Sequence, residues 1–175
     1  MRLWLEQLND LEVWVCRVAA RPVQYRGVQR GFAWVSRLGD GVLWYSLIAI
    51  LPLADGLDGL KAGLHMLVTG ALALLLYKSL KGVTRRQRPC HRDPQVAALV
   101  PPLDHFSFPS GHTLHACSFS TVAVAHYPEL AWVLVPFSLL VAISRVILGL
   151  HYPSDVLAAT ALGVGLGYAA ILPLG

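Results

Sequence analysis

The sequence predicts an all-α membrane protein: a polytopic bundle of about five spanning helices, preceded by an N-terminal amphipathic helix in the interface. Three observations predict it. Hydrophobic residues make up 55% of the 175 and charged ones only 14%, well off the soluble average. Five apolar runs, 42–54, 62–77, 113–127, 130–144 and 156–175, follow one another with few charges between them. None alternates as a barrel strand does, so only helices can satisfy the backbone in lipid. Several runs are shorter than 18 residues and alone would pass for buried soluble helices. Five of them cannot all be buried in a soluble domain of this size.

Taken in order, residues 1–40 read as an interfacial segment and 41–175 as the bundle of a single membrane-embedded domain. Glu6, Asp10 and Glu12 interrupt the first stretch, which excludes both a signal peptide and a span there. Trp4, Leu8, Leu11, Val15 and Val18 fall on one helical face. Pro22 ends that helix, and a basic segment with Arg26, Arg30 and Arg37 follows. The segment either anchors the protein and walls the lipid entrance, or packs on its own bundle. The first apolar run is short unless it borrows 32–41 and buries Arg37 or Asp40 against a partner. The last run carries Ala159, Gly163 and Gly167 at four-residue spacing, a ridge that lets helix backbones approach closely.

Composition also excludes classes. The net charge of +4 forms no basic stripe with interleaved aromatics, so nucleic-acid binding is not expected. Cys16, Cys90 and Cys117 have no metal or disulfide spacing. No H-E-x-x-H, P-loop or dinucleotide fingerprint is present, and neither a metal nor a cofactor is implied. His65, His115 and His126 are expected to make interior hydrogen bonds; His105, beside Asp104, is nearer the site and is either an ordinary loop histidine or, as the lesser alternative, a shaper of the leaving-group pocket.

The chemistry lies in two polar stretches, residues 78–112 and 144–155. In the second, Arg145, His151 and Asp155 stand between two apolar runs, where charge is costly and usually functional. Arg145 can grip two phosphate oxygens with its planar fork. A neutral His151 can attack phosphorus, and Asp155 can accept its other ring N–H. In the first stretch, Ser110 is a good N-cap, Gly111 permits close backbone approach, and the free N–H groups of that turn suit a phosphate.

Lys81 and Arg88-Pro89 form K-x6-R-P; Pro109-Ser110-Gly111-His112 forms P-S-G-H; Ser144-Arg145, His151 and Asp155 form S-R-x5-H-x3-D. In that order the motifs resemble the type-2 phosphatidic acid phosphatase superfamily of membrane lipid phosphatases. The resemblance covers roughly residues 81–155. It implies a phosphoric monoester hydrolase working through a phosphohistidine without a metal. It implies Lys81, Arg88, Ser110, Gly111 and Arg145 as phosphate ligands, His151 as nucleophile, His112 as general acid and Asp155 as the residue orienting the nucleophile. Arg85, Arg86 and Arg92 lie outside the pattern and read as charges that follow the positive-inside rule, with lipid-headgroup binding as the alternative. Two other readings share the motifs: a vanadium-haloperoxidase-like enzyme, and a non-catalytic lipid carrier or scaffold.

The expected partners are membrane lipids and a lipid phosphate substrate: phosphatidic acid, phosphatidylglycerophosphate, or a polyprenyl phosphate or diphosphate. With five crossings, thirteen of the fourteen Lys and Arg fall on the side of the catalytic loops. Setting aside the three phosphate ligands leaves ten against one. The positive-inside rule then places the site on the cytoplasmic face of a bacterial inner membrane, with the periplasmic face as the alternative.

Overall fold

Helices α1 (Arg2–Ala20) and α2 (Arg26–Arg37) open the chain. A π-helical turn, Leu38–Val42, leads into α3 (Leu43–Thr84). A short α4 (Pro89–Arg92) lies in the loop that follows, and α5 (Gly111–His126), α6 (Ala131–Ile147) and α7 (Pro153–Ile171) complete the bundle. The computed structural model describes residues 2–21 and 25–171, with side chains from Asp10 onward, so Pro22 and the side chains of Trp4 and Leu8 lie outside the described residues. Among the described residues there is no strand.

As far as the described residues go, each of the five apolar runs falls almost wholly within a helix, and α3 holds two of them. It is broken at Asp55 (φ −134°, ψ 22°) and Gly56 (φ 55°, ψ −122°). A Cβ at Gly59 would lie 2.0 Å from the Leu51 carbonyl oxygen, and one at Gly63 would lie 3.2 Å from that of Ile48. These partners step outward evenly from residues 55–56, so arms 43–54 and 57–84 form an antiparallel hairpin. Its reversal takes the left-handed backbone that glycine adopts without strain. Among the described residues, three segments are long and apolar enough to cross a membrane: Arg26–Thr84, with the hairpin inside it, Pro128–Ile147 and Pro153–Ile171.

The glycine ridge of the last helix packs as expected. A Cβ at Gly163 would sit 2.5 Å from the Leu114 carbonyl oxygen, and one at Gly167 would sit 2.6 Å from Thr121 Cβ, so α5 and α7 touch backbone to backbone. The central core gathers Trp44, Met66, Phe119, Val122 and Val141 from α3, α5 and α6. Leu53 and Trp132, each 87% exposed, belong to the outward apolar surface. His65 Nδ1 and His126 Nε2 pair at 2.8 Å, the hydrogen bond expected of them but half-buried and not interior.

Helix α1 has two faces. Val13 and Cys16 pack with Val96 and Tyr152, so one face docks on the bundle. Leu11 and Trp14 remain 56% and 55% exposed on the other. The apolar stripe expected from spacing is therefore not the docking face. That role falls to Glu12, Val13, Cys16 and Arg17, because salt links to Arg86 and Asp93 hold the helix down.

The bundle has a chemical end and a plain end. Tyr127 donates to Asp55 at 2.8 Å, which brings the 55–56 and 127–130 turns together at the plain end. The π-turn, the 85–110 loop and the α6–α7 link meet at the other.

Candidate active site

The α6–α7 link is shaped by local rules. Gly149 has φ +73°, and a Cβ there would lie 2.5 Å from the Ala97 carbonyl oxygen. The link thus lies against the 96–99 loop, and Leu99 N–H donates to the Leu148 carbonyl at 3.2 Å. Pro153 opens α7, where its missing N–H is harmless. Asp155 reaches back to accept from the Tyr152 N–H at 2.9 Å, as the acid of a capping box does. His151 and Asp155 therefore meet across a helix start.

His151 is 1% exposed. Its Nδ1 faces Asp155 Oδ2 at 3.6 Å, longer than a hydrogen bond, a gap common in ligand-free sites. Its Nε2 lies 3.2 Å from Arg88 Nη1. A guanidinium only donates, so Nε2 carries the lone pair and Nδ1 the proton. Burial first, then the charges of Arg145, Arg88 and Lys81, hold the imidazole pKa well below its ordinary value. The ring is neutral, with its lone pair among cations.

Those cations come from three segments. Lys81, in the last turn of α3, donates to Asp104 Oδ1 and Oδ2 at 2.7 and 2.8 Å and to the Phe106 carbonyl at 2.9 Å. Arg88 donates to Asp104 Oδ1 at 2.7 Å and to the Leu150 carbonyl at 2.8 Å. Arg145 is 3% exposed and donates from Nη1 to the Ser36 hydroxyl of α2. Asp104 thus sets the positions of two of the three. Burial alone would raise its pKa, but Lys81 and Arg88 outweigh that and hold it below the usual carboxylate value.

His112 stands in the first turn of α5, with Nε2 3.2 Å from Asp40 Oδ1. Gly41 (φ 144°) breaks the helix beside Asp40 and turns that segment over the site. Ser110 occupies the N-cap position, yet its hydroxyl meets Thr113 Oγ1 at 2.9 Å and not a backbone N–H. Lys81, Arg88, Gly111, His112, Arg145 and His151 line one cavity of about 550 Å³, together with Asp40 and Asp104. Ser110 and Asp155 are buried behind its wall. His105 is exposed and does not line the cavity, so of its two readings the ordinary loop histidine is the one supported. Among the described residues, no group of three or more His, Cys, Asp or Glu is disposed to hold a metal ion.

Spacing alone missed four contributors. Arg86 reads in the sequence as a loop charge; the structure places it on Asp155 Oδ1 at 2.6 Å and over the Tyr152 ring at 4.1 Å. A buried carboxylate needs such a partner, and that need outweighs the topological reading. Glu12 accepts from the Ser154 N–H at 2.8 Å and pairs with Arg86 at 2.5 Å. Asp104 and Asp40 are the others. Only Asp40 left a signal, as one of two charges, with Arg37, in the approach to the first run.

The model of the PAP2 superfamily matches residues 62–172. The chain belongs to the PAP2 superfamily. Decaprenylphosphoryl-5-phosphoribose phosphatase of Mycobacterium tuberculosis is 40% identical over 139 residues, covering 76% of this chain and 73% of that one. Among solved structures, the PAP2-type phosphatidylglycerolphosphate phosphatase of Bacillus subtilis superposes with a TM-score of 0.75 at 27% identity, covering 94% of this chain and 84% of that one. A bacterial vanadium-dependent iodoperoxidase shares the fold at TM-score 0.76 and 18% identity, but this chain spans only 49% of it. As a PAP2 protein the chain is a membrane-lipid phosphatase, a phosphoric monoester hydrolase.

Proposed function

We propose that this PAP2 protein removes the terminal phosphate of a polyprenyl-linked sugar phosphate, by way of a phosphohistidine on His151 and without a metal. Its first-reported relative acts on a lipid of that kind. One observation supports the mechanism above others: the neutral Nε2 of His151 is buried among Lys81, Arg88 and Arg145 in a cavity of about 550 Å³. Three cations supply the charge neutralisation that other phosphatases obtain from metal ions.

In the first step Nε2 of His151 bonds to phosphorus as the bond to the leaving oxygen breaks. Asp155 receives the charge that develops at Nδ1. Lys81, Arg88, Arg145 and backbone N–H groups near Gly111 hold the equatorial oxygens, with Ser110, expected as a further ligand, buried behind them against Thr113. His112 gives its proton to the departing alkoxide. Water then attacks the phosphohistidine, His112 takes the water proton, and the N–P bond breaks to release phosphate.

Residues 1–40 are proposed as the interfacial layer of a single domain, with Leu11 and Trp14 facing headgroups. The ten-to-one charge asymmetry supports a site on the cytoplasmic face of a bacterial inner membrane. A single cysteine at Gln95, on a cysteine-free background in intact cells, should resist a membrane-impermeant maleimide, while one at Gly56 should react. The reverse labelling would put the site in the periplasm.

The central experiment uses purified protein in detergent with phosphatidic acid, phosphatidylglycerophosphate, polyprenyl diphosphate and polyprenyl phosphoryl ribose 5-phosphate. Phosphate release should survive EDTA and be inhibited by vanadate, and quenched enzyme should carry acid-labile phosphate. Loss with EDTA, restored by Mg²⁺, would refute the metal-free mechanism. No release from any of the lipids would leave the carrier reading in its place.

A further inference from the structure

A second cleft opens on the same chemistry. It has a volume of about 470 Å³ and lies between α2 and residues 100–103. Arg30, Trp34, Ser36 and Arg37 form one wall, and Val100, Pro101 and Leu103 the other. Asp40, Leu103, His112 and Arg145 line both this cleft and the reaction cavity, so the two are continuous.

The position of the cleft gives it a role. An in-line displacement expels the leaving oxygen on the side opposite Nε2 of His151, where His112 must stand to protonate it. The group esterified to the phosphate therefore lies beside His112, where the second cleft begins. That cleft is cationic. Arg26, Arg30, Ala33 and Arg37 recur at helical spacing on one face of α2. Arg30 and Arg37 have no hydrogen-bond or ion-pair partner among the described residues. Arg145, 3% exposed, reaches both cavities, and its Nε is buried without a hydrogen-bond partner among the described residues. The Asp40 carboxylate, the one acidic group in the lining, is engaged by His112. The Ser36–Arg145 hydrogen bond fixes α2 at this distance from the site.

We infer that this cleft is a second anion subsite, in which Arg30 and Arg37 hold the phosphodiester that joins the leaving sugar to its lipid. The enzyme would then prefer lipids with two anionic groups, a terminal phosphate and an internal phosphodiester, over single-phosphate lipids. The inference rests on the proposed phosphatase function and specifies its substrate class. Bulk phospholipid headgroups carry the same phosphodiester chemistry, so the test must separate the two sources.

Wild type, Arg30→Gln/Arg37→Gln and Arg37→Lys are assayed in uncharged detergent, with and without added phosphatidylglycerol. The substrates are polyprenyl phosphoryl ribose 5-phosphate and phosphatidic acid. For the double variant, kcat/KM on the two-anion lipid should fall about 10- to 100-fold, mostly through KM, as two charge-assisted contacts are lost. Turnover of phosphatidic acid should stay within about twofold, and Arg37→Lys should retain part of the preference. Equal loss on both substrates, no loss, or a wild-type preference for phosphatidic acid would overturn the subsite. A loss seen only when phosphatidylglycerol is present would assign the arginines to membrane headgroups and likewise overturn it. Failure of wild type to hydrolyse either lipid would instead overturn the phosphatase reading beneath it.

Discussion

The family-matched part, from arm 57–84 to α7, and the N-terminal layer of α1, α2 and the π-turn build the same site in different ways. In the first, the chemical groups sit at fixed spacing on helix ends: Lys81 at the close of α3, His112 at the start of α5, Asp155 at the start of α7. In the second, every contribution crosses the fold. Glu12 reaches Ser154 over 142 residues, Ser36 reaches Arg145 over 109, and Asp40 meets His112. The difference separates two jobs. Groups bonded to phosphorus need a fixed geometry, which rigid helix ends supply. Groups that hold those residues in place, or face the rest of the substrate, need only arrive in space.

If that division is right, damage should be graded by region. His151→Ala should reduce phosphate release to background and abolish the acid-labile label. His112→Ala should cost about 10²- to 10⁴-fold, read as kcat on purified variants. Substantial turnover by His151→Ala would break the comparison at its base.

Arg86 sits where the regions join, bridging Asp155 and Glu12. Arg86→Gln leaves the buried Asp155 carboxylate without its charged partner, a change that costs about 3–5 kcal/mol when such pairs are broken. Thermal unfolding in detergent should show a clear loss of stability, with a drop in kcat. An unchanged melting temperature would show that Arg86 is only a loop charge after all.

The pH profile tests the core alone. His151 must be neutral to attack, and burial among three cations holds its pKa well below the ordinary 6.5. A depressed value means that the proton binds only at low pH. The acid limb of kcat/KM should therefore lie well below pH 6.5, and a limb near or above that value would contradict the geometry.

From the N-terminal layer, Asp40→Asn should lower kcat about tenfold and move the alkaline limb to lower pH: burial, then Arg145, pushes the His112 pKa well below 6.5, and Asp40 at 3.2 Å is the carboxylate placed to oppose that. Asp40→Glu should restore part of both. An unmoved limb would reduce Asp40 to a packing role. Glu12→Gln should be mildest. It weakens one charge-assisted contact to Ser154 and one to Arg86, worth about 1–3 kcal/mol in all, and should lower the melting temperature while leaving KM unchanged.

By itself the sequence determined the helical membrane fold, the five apolar runs, the small-residue ridge of the last helix through Gly163 and Gly167, though not its partner, and the residues that gather at one end. These are legible because each is a local property: apolar length, small-residue spacing, or a side chain at a helix terminus. It did not reveal that α1 docks by the mixed face of Glu12, Val13, Cys16 and Arg17, that Arg86 serves Asp155, that Asp104 aligns Lys81 and Arg88, or that Asp40 holds His112. Tertiary structure decided these, because each depends on which distant partner satisfies a buried charge. A charge in the sequence shows only that some partner is needed, and many pairings meet that need equally until the chain is packed.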